Sequence, residues 1–136
     1  MATMTTSISE DRPATDGVRT LLRLEGLALA TAACLAYWHV SGDWKWFAIL
    51  FLAPDLSMAF YLFGSRVGAF AYNAAHSTLG AAALALLGVA MQRADLVSLA
   101  LIWLAHIGFD RALGYGLKRA SGFGDTHLGR IGAKKN

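Results

Sequence analysis

Four long stretches of the chain consist mainly of apolar residues, and short polar or glycine-containing segments separate them. The stretches cover about residues 18–40, 44–63, 67–91 and 96–117. Each exceeds or comes close to the roughly 20 residues that an α-helix needs to cross the hydrocarbon core of a bilayer. The connections are too short for anything but antiparallel neighbours. The pattern therefore predicts an all-α fold, a four-helix transmembrane bundle with up-down-up-down topology over residues 18–118.

The two ends of the chain differ in character from these stretches. Residues 1–17 are rich in Thr, Ser and acidic residues, which bury too little apolar surface to order themselves, so we predict a disordered N-terminal tail. Residues 119–136 are predicted to form a cytoplasmic, glycine-rich basic tail. The first apolar stretch follows Arg19 and Arg23, as in a signal peptide. It contains Glu25, however, and it continues through Trp38, so we interpret it as a retained helix.

Composition and charge support a membrane location. The chain is 56% hydrophobic and 15% charged, which is typical of a membrane protein rather than a soluble domain. Four spans would place Lys45 and Arg93 on one side and nearly all other basic residues on the opposite side. Basic residues near span ends resist translocation, so both termini are expected to be cytoplasmic, in a multi-pass protein of the inner cell membrane. The basic residues form no stripe, so the expected partner is the lipid bilayer and not nucleic acid.

Several polar side chains fall inside the predicted spans. From the rise of about 1.5 Å per residue, Asp55, His76 and His106 each lie about 15–16 Å from a membrane surface, near the midplane. A second tier lies nearer the cytoplasmic side, and it consists of Glu25, Asn73, Asp110 and Arg111. A charge in hydrocarbon costs about 2.5–3.5 kcal/mol, so such residues usually face protein and carry function.

The spacing of these residues predicts convergence on a shared interior. His106 and Asp110 are at positions i and i+4, and Asn73 and His76 are at i and i+3, so each pair projects from one helix face. Imidazole and carboxylate groups without thiolate suit zinc, manganese or iron. Cys34 is the only cysteine, which excludes an intrachain disulfide and a thiol-based zinc site.

Structural explanations also exist for individual residues. Asp55 could cap the kink that Pro54 introduces, and Glu25 with Arg111 could form an ion pair that fixes helix register. His127 lies in a glycine-rich segment that either folds back to complete a site or remains a solvated tail.

Several motifs of the chain are characteristic of known families. The chain resembles the bacterial membrane family known as domain of unknown function 4260 in the segments 54–57, 72–76, 103–118 and 126–129. It is more faintly similar to membrane-bound metal-dependent hydrolases, which show Pro-Asp, His-Ser and His-x-x-x-Asp on three helices. Those motifs correspond here to Pro54-Asp55, His76-Ser77 and His106 with Asp110, and the resemblance implies that they are metal ligands. Leu56-Ser57 stands where that family usually has a second Asp and a His.

The leading hypothesis is a metal-dependent hydrolase acting on a membrane-associated substrate such as a lipid. Asp55, His76, His106 and Asp110 would hold one divalent ion, with Asn73 and His127 as supporting residues. Glu25 would act as general base, and Arg111 would stabilise an anionic substrate oxygen. Two alternatives are a proton-coupled carrier, because acidic and histidine chains also relay protons, and a structural or accessory membrane subunit.

Overall fold

The described part of the chain is almost entirely helical. The computed structural model describes residues 16–131. Its elements are α1 (Asp16–Val40), α2 (Trp44–Leu50), a 3-10 helix (Ala53–Phe63), α3 (Ser65–His76), α4 (Thr78–Ala90), α5 (Ala94–Leu113) and an antiparallel ribbon of β1 (Asp125–Thr126) and β2 (Gly129–Arg130). The predicted N-terminal tail lies outside the described residues except for Asp16 and Gly17, which begin α1. The last five residues of the predicted C-terminal tail also lie outside them.

Several of these helices are long and apolar enough to cross a membrane. Three candidates are Gly17–Val40, Trp44–Phe63 and Ala94–Leu113, and the bent pair α3 and α4 makes a fourth if it forms one span. Large apolar side chains cover the outside of the molecule, among them Leu62, which is 87% exposed. Lengths and surface together indicate a membrane protein.

The second predicted span changes its helix type at Pro54. Proline has no backbone N–H, so the α-helical ladder cannot continue there. The chain goes on as a 3-10 helix, in which the Asp55 N–H donates to the Leu52 carbonyl at 3.1 Å. As a result, Asp55 lies in the first turn of a new helix rather than in the middle of a continuous one.

The third predicted span is bent by 41° between α3 and α4. Ser77 takes an extended conformation at the bend, and its hydroxyl accepts a hydrogen bond from the Leu79 N–H at 3.2 Å. The Ala75 carbonyl, which would accept from Leu79 in a continuous helix, instead accepts from the Trp103 indole N–H on α5. Both groups freed by the bend are thus satisfied inside the protein. His76 becomes the last residue of α3.

Small residues allow α1 and α5 to pack closely against each other. A Cβ atom at Gly108 would lie 2.6 Å from the Ala30 nitrogen and 2.7 Å from the Gly26 carbonyl oxygen. No side chain fits at such a distance from backbone atoms. The remaining helices pack around this pair, with α4 against α5 and the 3-10 helix against α3. Small residues thus allow close contact between helices where lipid supplies no hydrophobic drive for packing.

The last helix ends at Leu113, earlier than the predicted residue 117. Gly114 takes a left-handed conformation with φ of 94°, and its N–H donates to the Arg111 carbonyl, which terminates the helix. The segment that follows folds back onto the helices instead of leaving them. Lys118 pairs with Thr126 in a β-bridge, and Thr126 and Leu128 are buried.

Candidate metal centre

Four side chains from three segments meet in the interior, and we call them the quartet. They are Asp55 from the 3-10 helix, His76 from the end of α3, and His106 and Asp110 from one face of α5. One ligand atom from each lies within 4.8 Å of all the others. The structure therefore brings together all four residues predicted as metal ligands. Of the predicted second tier, only Asp110 joins the three residues that were predicted near the midplane.

Five of the six distances between ligand atoms of the quartet are close to those of a small tetrahedral site. The two Nε2 atoms of His76 and His106 are 3.2 Å apart. His76 Nε2 lies 3.3 Å from Asp55 Oδ1 and 3.5 Å from Asp110 Oδ2, and His106 Nε2 lies 3.5 and 3.7 Å from the same two atoms. Ligands about 2.0–2.1 Å from a tetrahedral ion are roughly 3.3 Å apart. The quartet could thus hold one such ion with small adjustments.

A hydrogen bond orients one imidazole of the quartet. His76 Nδ1 donates to the Tyr72 carbonyl at 2.9 Å, an assignment that leaves the lone pair on Nε2 and points it at the other three ligands. His106 Nδ1 is buried and has no hydrogen-bond partner among the described residues.

The quartet concentrates electron-pair donors in a buried place. His76 and His106 are 4% and 1% exposed, while the side chains of Asp55 and Asp110 are 30% and 16% exposed. The two imidazole Nε2 atoms lie close to each other and to both carboxylates. A divalent cation between them would have all four residues as ligands, so the donor set fits a metal ion.

Tyr72 supports the quartet from two sides. Its ring stacks on the His76 imidazole with a centroid distance of 3.7 Å. Its hydroxyl donates to Asp110 Oδ2 at 3.4 Å. Partners that hold metal ligands in place in this way commonly strengthen metal binding.

A cleft of about 370 Å³ adjoins the quartet. We call it the Lys118 cleft, and its lining residues are Asp55, Met58, Tyr72, Asp110, Tyr115, Lys118, Phe123 and Ile131. Lys118 is buried at 5% exposure, and this burial lowers the pKa of its ammonium group, while the Asp110 carboxylate acts in the opposite direction. The cleft thus gives a small molecule access to two quartet carboxylates and one cation.

Comparison with known proteins agrees with the sequence motifs. The family described as Domain of unknown function (DUF4260) has a model that matches residues 19–131, which is most of the chain. The chain belongs to this family. The DUF4260 match encloses the quartet, the Lys118 cleft and both helix breaks. Neither the comparison with curated proteins nor that with solved structures found a match.

Glu25, Arg111 and His127 lie together in a second pocket, separate from the quartet. This Glu25 pocket has a volume of about 310 Å³ and is lined by Leu22, Glu25, Gly26, Leu29, Arg111, His127 and Leu128. Glu25 is exposed. His127 accepts a hydrogen bond from the Leu117 N–H at 2.9 Å through Nδ1. Arg111 also lines a small recess with His76 and Asp110. Of these three residues, only Arg111 borders both regions.

Asn73 lies outside the quartet and binds the backbone of Lys118. Its amide oxygen accepts from the Lys118 N–H at 2.7 Å, and its amide nitrogen donates to the Lys118 carbonyl at 2.8 Å. Asn73 therefore fixes the chain after α5 against α3.

Sequence reasoning missed Lys118 and Tyr72 as residues of this region. Lys118 was interpreted only as an orienting charge, and the signal that could have singled it out is its place directly after the motif of α5.

Proposed function

We propose that this DUF4260 protein is a metal-dependent enzyme of hydrolase type that acts on a membrane-associated substrate. The observation that carries the proposal is the convergence of four ligand atoms within 4.8 Å, on side chains from three helical segments. Two imidazoles and two carboxylates favour zinc, manganese or iron. A divalent ion held there would supply a water nucleophile near neutral pH.

Other steps of the proposed reaction are assigned to individual residues. Asp55, the most exposed member of the quartet, faces the cleft where a substrate would enter. Tyr72 would keep Asp110 oriented through its hydroxyl. Arg111 borders the quartet through the small recess and is the better placed of the two predicted catalytic residues to meet an anionic oxygen. Glu25 would act as base from the Glu25 pocket.

The proposal includes a topology. The chain would cross the inner membrane four times, with α3 and α4 as one bent span and both termini in the cytoplasm. The support is the distribution of basic residues, because only Lys45 and Arg93 would lie outside. Labelling of Lys45→Cys and Ala120→Cys in a Cys34→Ser background, in intact cells with a membrane-impermeant reagent, tests this. Labelling of position 45 alone is expected, and the reverse pattern would refute the orientation.

The carrier hypothesis has less support than the enzyme. A carrier needs a polar path across the membrane. The cavity next to Pro54 and Trp103 does not provide such a path, because apolar and indole side chains line it. These are Leu50, Ala53, Pro54, Ala75, Leu84, Leu99, Ile102 and Trp103.

Elemental analysis tests the proposed metal centre. Protein purified in detergent is expected to contain about one equivalent of zinc, manganese or iron per chain, which a chelator removes. His106→Ala should reduce the metal content to near zero. His39→Ala is a matched control, because His39 is an exposed residue at the end of α1 and should leave the metal content unchanged. Wild-type protein that is folded, metal-free and unable to take up added zinc would refute the proposal.

A further inference from the structure

Lys118 is a buried lysine whose acidic neighbour in the cleft, Asp110, lies beyond ion-pair distance. Its Nζ atom lies 3.9 Å from the centre of the Phe123 ring and 5.1 Å from that of Tyr72. The ion pairs formed among residues 16–131 do not include it. Aromatic faces attract an ammonium group, but they compensate only part of the cost of removing it from water. The group is therefore suited to bind an anion that enters the cleft.

The backbone of Lys118 is held in place from two directions. Asn73 binds both its N–H and its carbonyl, and Thr126 pairs with it in the β-bridge. Next to it, the His127 N–H donates to the Leu117 carbonyl at 3.1 Å. The ordering of this segment is thus complete before a ligand arrives, which reduces the entropic cost of binding.

The lining of the Lys118 cleft combines charged and apolar side chains. Asp55, Asp110 and Lys118 supply charged groups, whereas Met58, Phe123 and Ile131 supply apolar walls. Phe123 and Ile131 are 52% and 39% exposed, so part of this apolar surface is uncovered. A cavity of about 370 Å³ lies within the range of small-molecule sites. The combination matches a molecule that has a charged head and an apolar chain.

The sign of the head group follows from the charges. A divalent ion, if bound, and the two quartet carboxylates would sum to no net charge, and Lys118 would add one positive charge at the cleft. An anionic group in the cleft would then be favoured over a cationic one. Lysine binds phosphate as a point charge, without the planar geometry that arginine imposes.

We propose that the Lys118 cleft binds a phosphate-bearing amphiphile, with a phosphate oxygen on Lys118 and the chain along Met58, Phe123 and Ile131. This assignment names a substrate class for the proposed function and rests on it. Free phosphate shares the head-group chemistry, and the experiment separates the two sources.

Binding measured by titration calorimetry in a neutral detergent tests the assignment. The probes are dioctanoyl phosphatidic acid, dioctanoylglycerol as its uncharged counterpart, and inorganic phosphate. Wild-type, zinc-loaded protein is expected to bind the phosphatidic acid at least tenfold more tightly than either other probe. Equal affinity for dioctanoylglycerol would overturn the role of the phosphate, and equal affinity for inorganic phosphate would overturn that of the chain.

Substitution of the lysine localises the binding. Lys118→Met is expected to weaken phosphatidic acid binding at least tenfold, and Lys118→Arg should recover part of the loss. Lys45→Met is the control, since Lys45 is exposed on α2. The Met variant is expected to fold, because the surroundings of Lys118 are largely apolar and its hydrogen bonds are made by its backbone. The comparison of the three probes on the wild-type protein does not depend on any variant. Unchanged affinity in Lys118→Met would overturn the assignment.

Metal analysis of the same samples keeps the two proposals apart. If the wild type contains metal but shows no preference for phosphatidic acid, the substrate class is wrong and the metal centre stands. If no metal binds under any condition, the proposed function fails, whatever the lipid binding shows.

Discussion

The quartet and the Glu25 pocket contain similar residue types but differ in how they are built. Both contain carboxylate and imidazole groups, and both lie beside α5. In the quartet, a hydrogen bond orients His76, two of the ligands adjoin helix breaks, and four donor atoms converge. In the Glu25 pocket, Glu25 is exposed on an unbroken helix and His127 uses Nδ1 to accept from the Leu117 backbone. Converging donor atoms, and not residue type alone, distinguish a candidate metal centre.

The largest expected effect comes from the packing that both regions share. Gly26 lines the Glu25 pocket, and Gly108 lies between His106 and Asp110 on α5. Gly108→Leu would force α1 and α5 apart, because the nearest atoms are backbone atoms of α1. We expect a cost at or above the roughly 1–3 kcal/mol of an overpacked core, together with loss of metal.

Thermal unfolding in detergent and elemental analysis measure the two consequences. Gly17→Leu is the matched control, since a Cβ atom at Gly17 would have no atom within 4 Å. A Gly108→Leu variant as stable and as metal-rich as the control would show that the close helix contact is dispensable.

A smaller effect is expected within the quartet alone. Tyr72→Phe removes the hydroxyl that donates to Asp110 at 3.4 Å but keeps the ring that stacks on His76. Loss of such a supporting hydrogen bond should weaken metal affinity by about tenfold. Competition with a chromophoric chelator measures this affinity. Tyr37→Phe is the control and should have no effect. The Tyr37 hydroxyl donates to the Asp43 carbonyl just after the end of α1, away from the quartet.

The smallest effect is expected in the Glu25 pocket. Glu25→Gln should change metal affinity by less than about twofold, because Glu25 is not among the four converging ligands and lines a different pocket. The same chelator competition checks this expectation. A loss as large as that of His106→Ala would mean that the two regions form one site and would remove the distinction drawn between them.

Sequence reasoning predicted the helical, membrane-type fold and the composition of the quartet. The apolar stretches are long enough to be recognised individually, and a buried charge or imidazole in a span is rare enough to be informative. Depth along an ideal helix, however, placed Asp110 apart from His76. The structure brings both residues into the quartet. The helix breaks at Pro54 and Ser77 were also hard to predict, because the geometry of a break depends on which neighbours satisfy the freed carbonyls. The carbonyl of Ala75, for example, is satisfied by Trp103, which lies 28 residues away in the chain.

The region after α5 was the least predictable from sequence. A glycine-rich segment with several basic residues is typical of a solvated tail. Its folding back depends on Asn73, which binds the Lys118 backbone across 45 residues of sequence. Such a contact leaves no periodic signal, so neither the segment nor the role of Lys118 could be inferred from the local pattern.

The order of the quartet ligands along the chain has a consequence for biogenesis. Asp55 and His76 are synthesised before the helix that carries His106 and Asp110, so a ribosome-bound intermediate holds only half of the ligands. Such a half-site lacks the partners needed for tight ion capture during insertion. If the proposed metal centre exists, the ion is expected to bind only after translation of the last helix, which would make its delivery a late step in maturation.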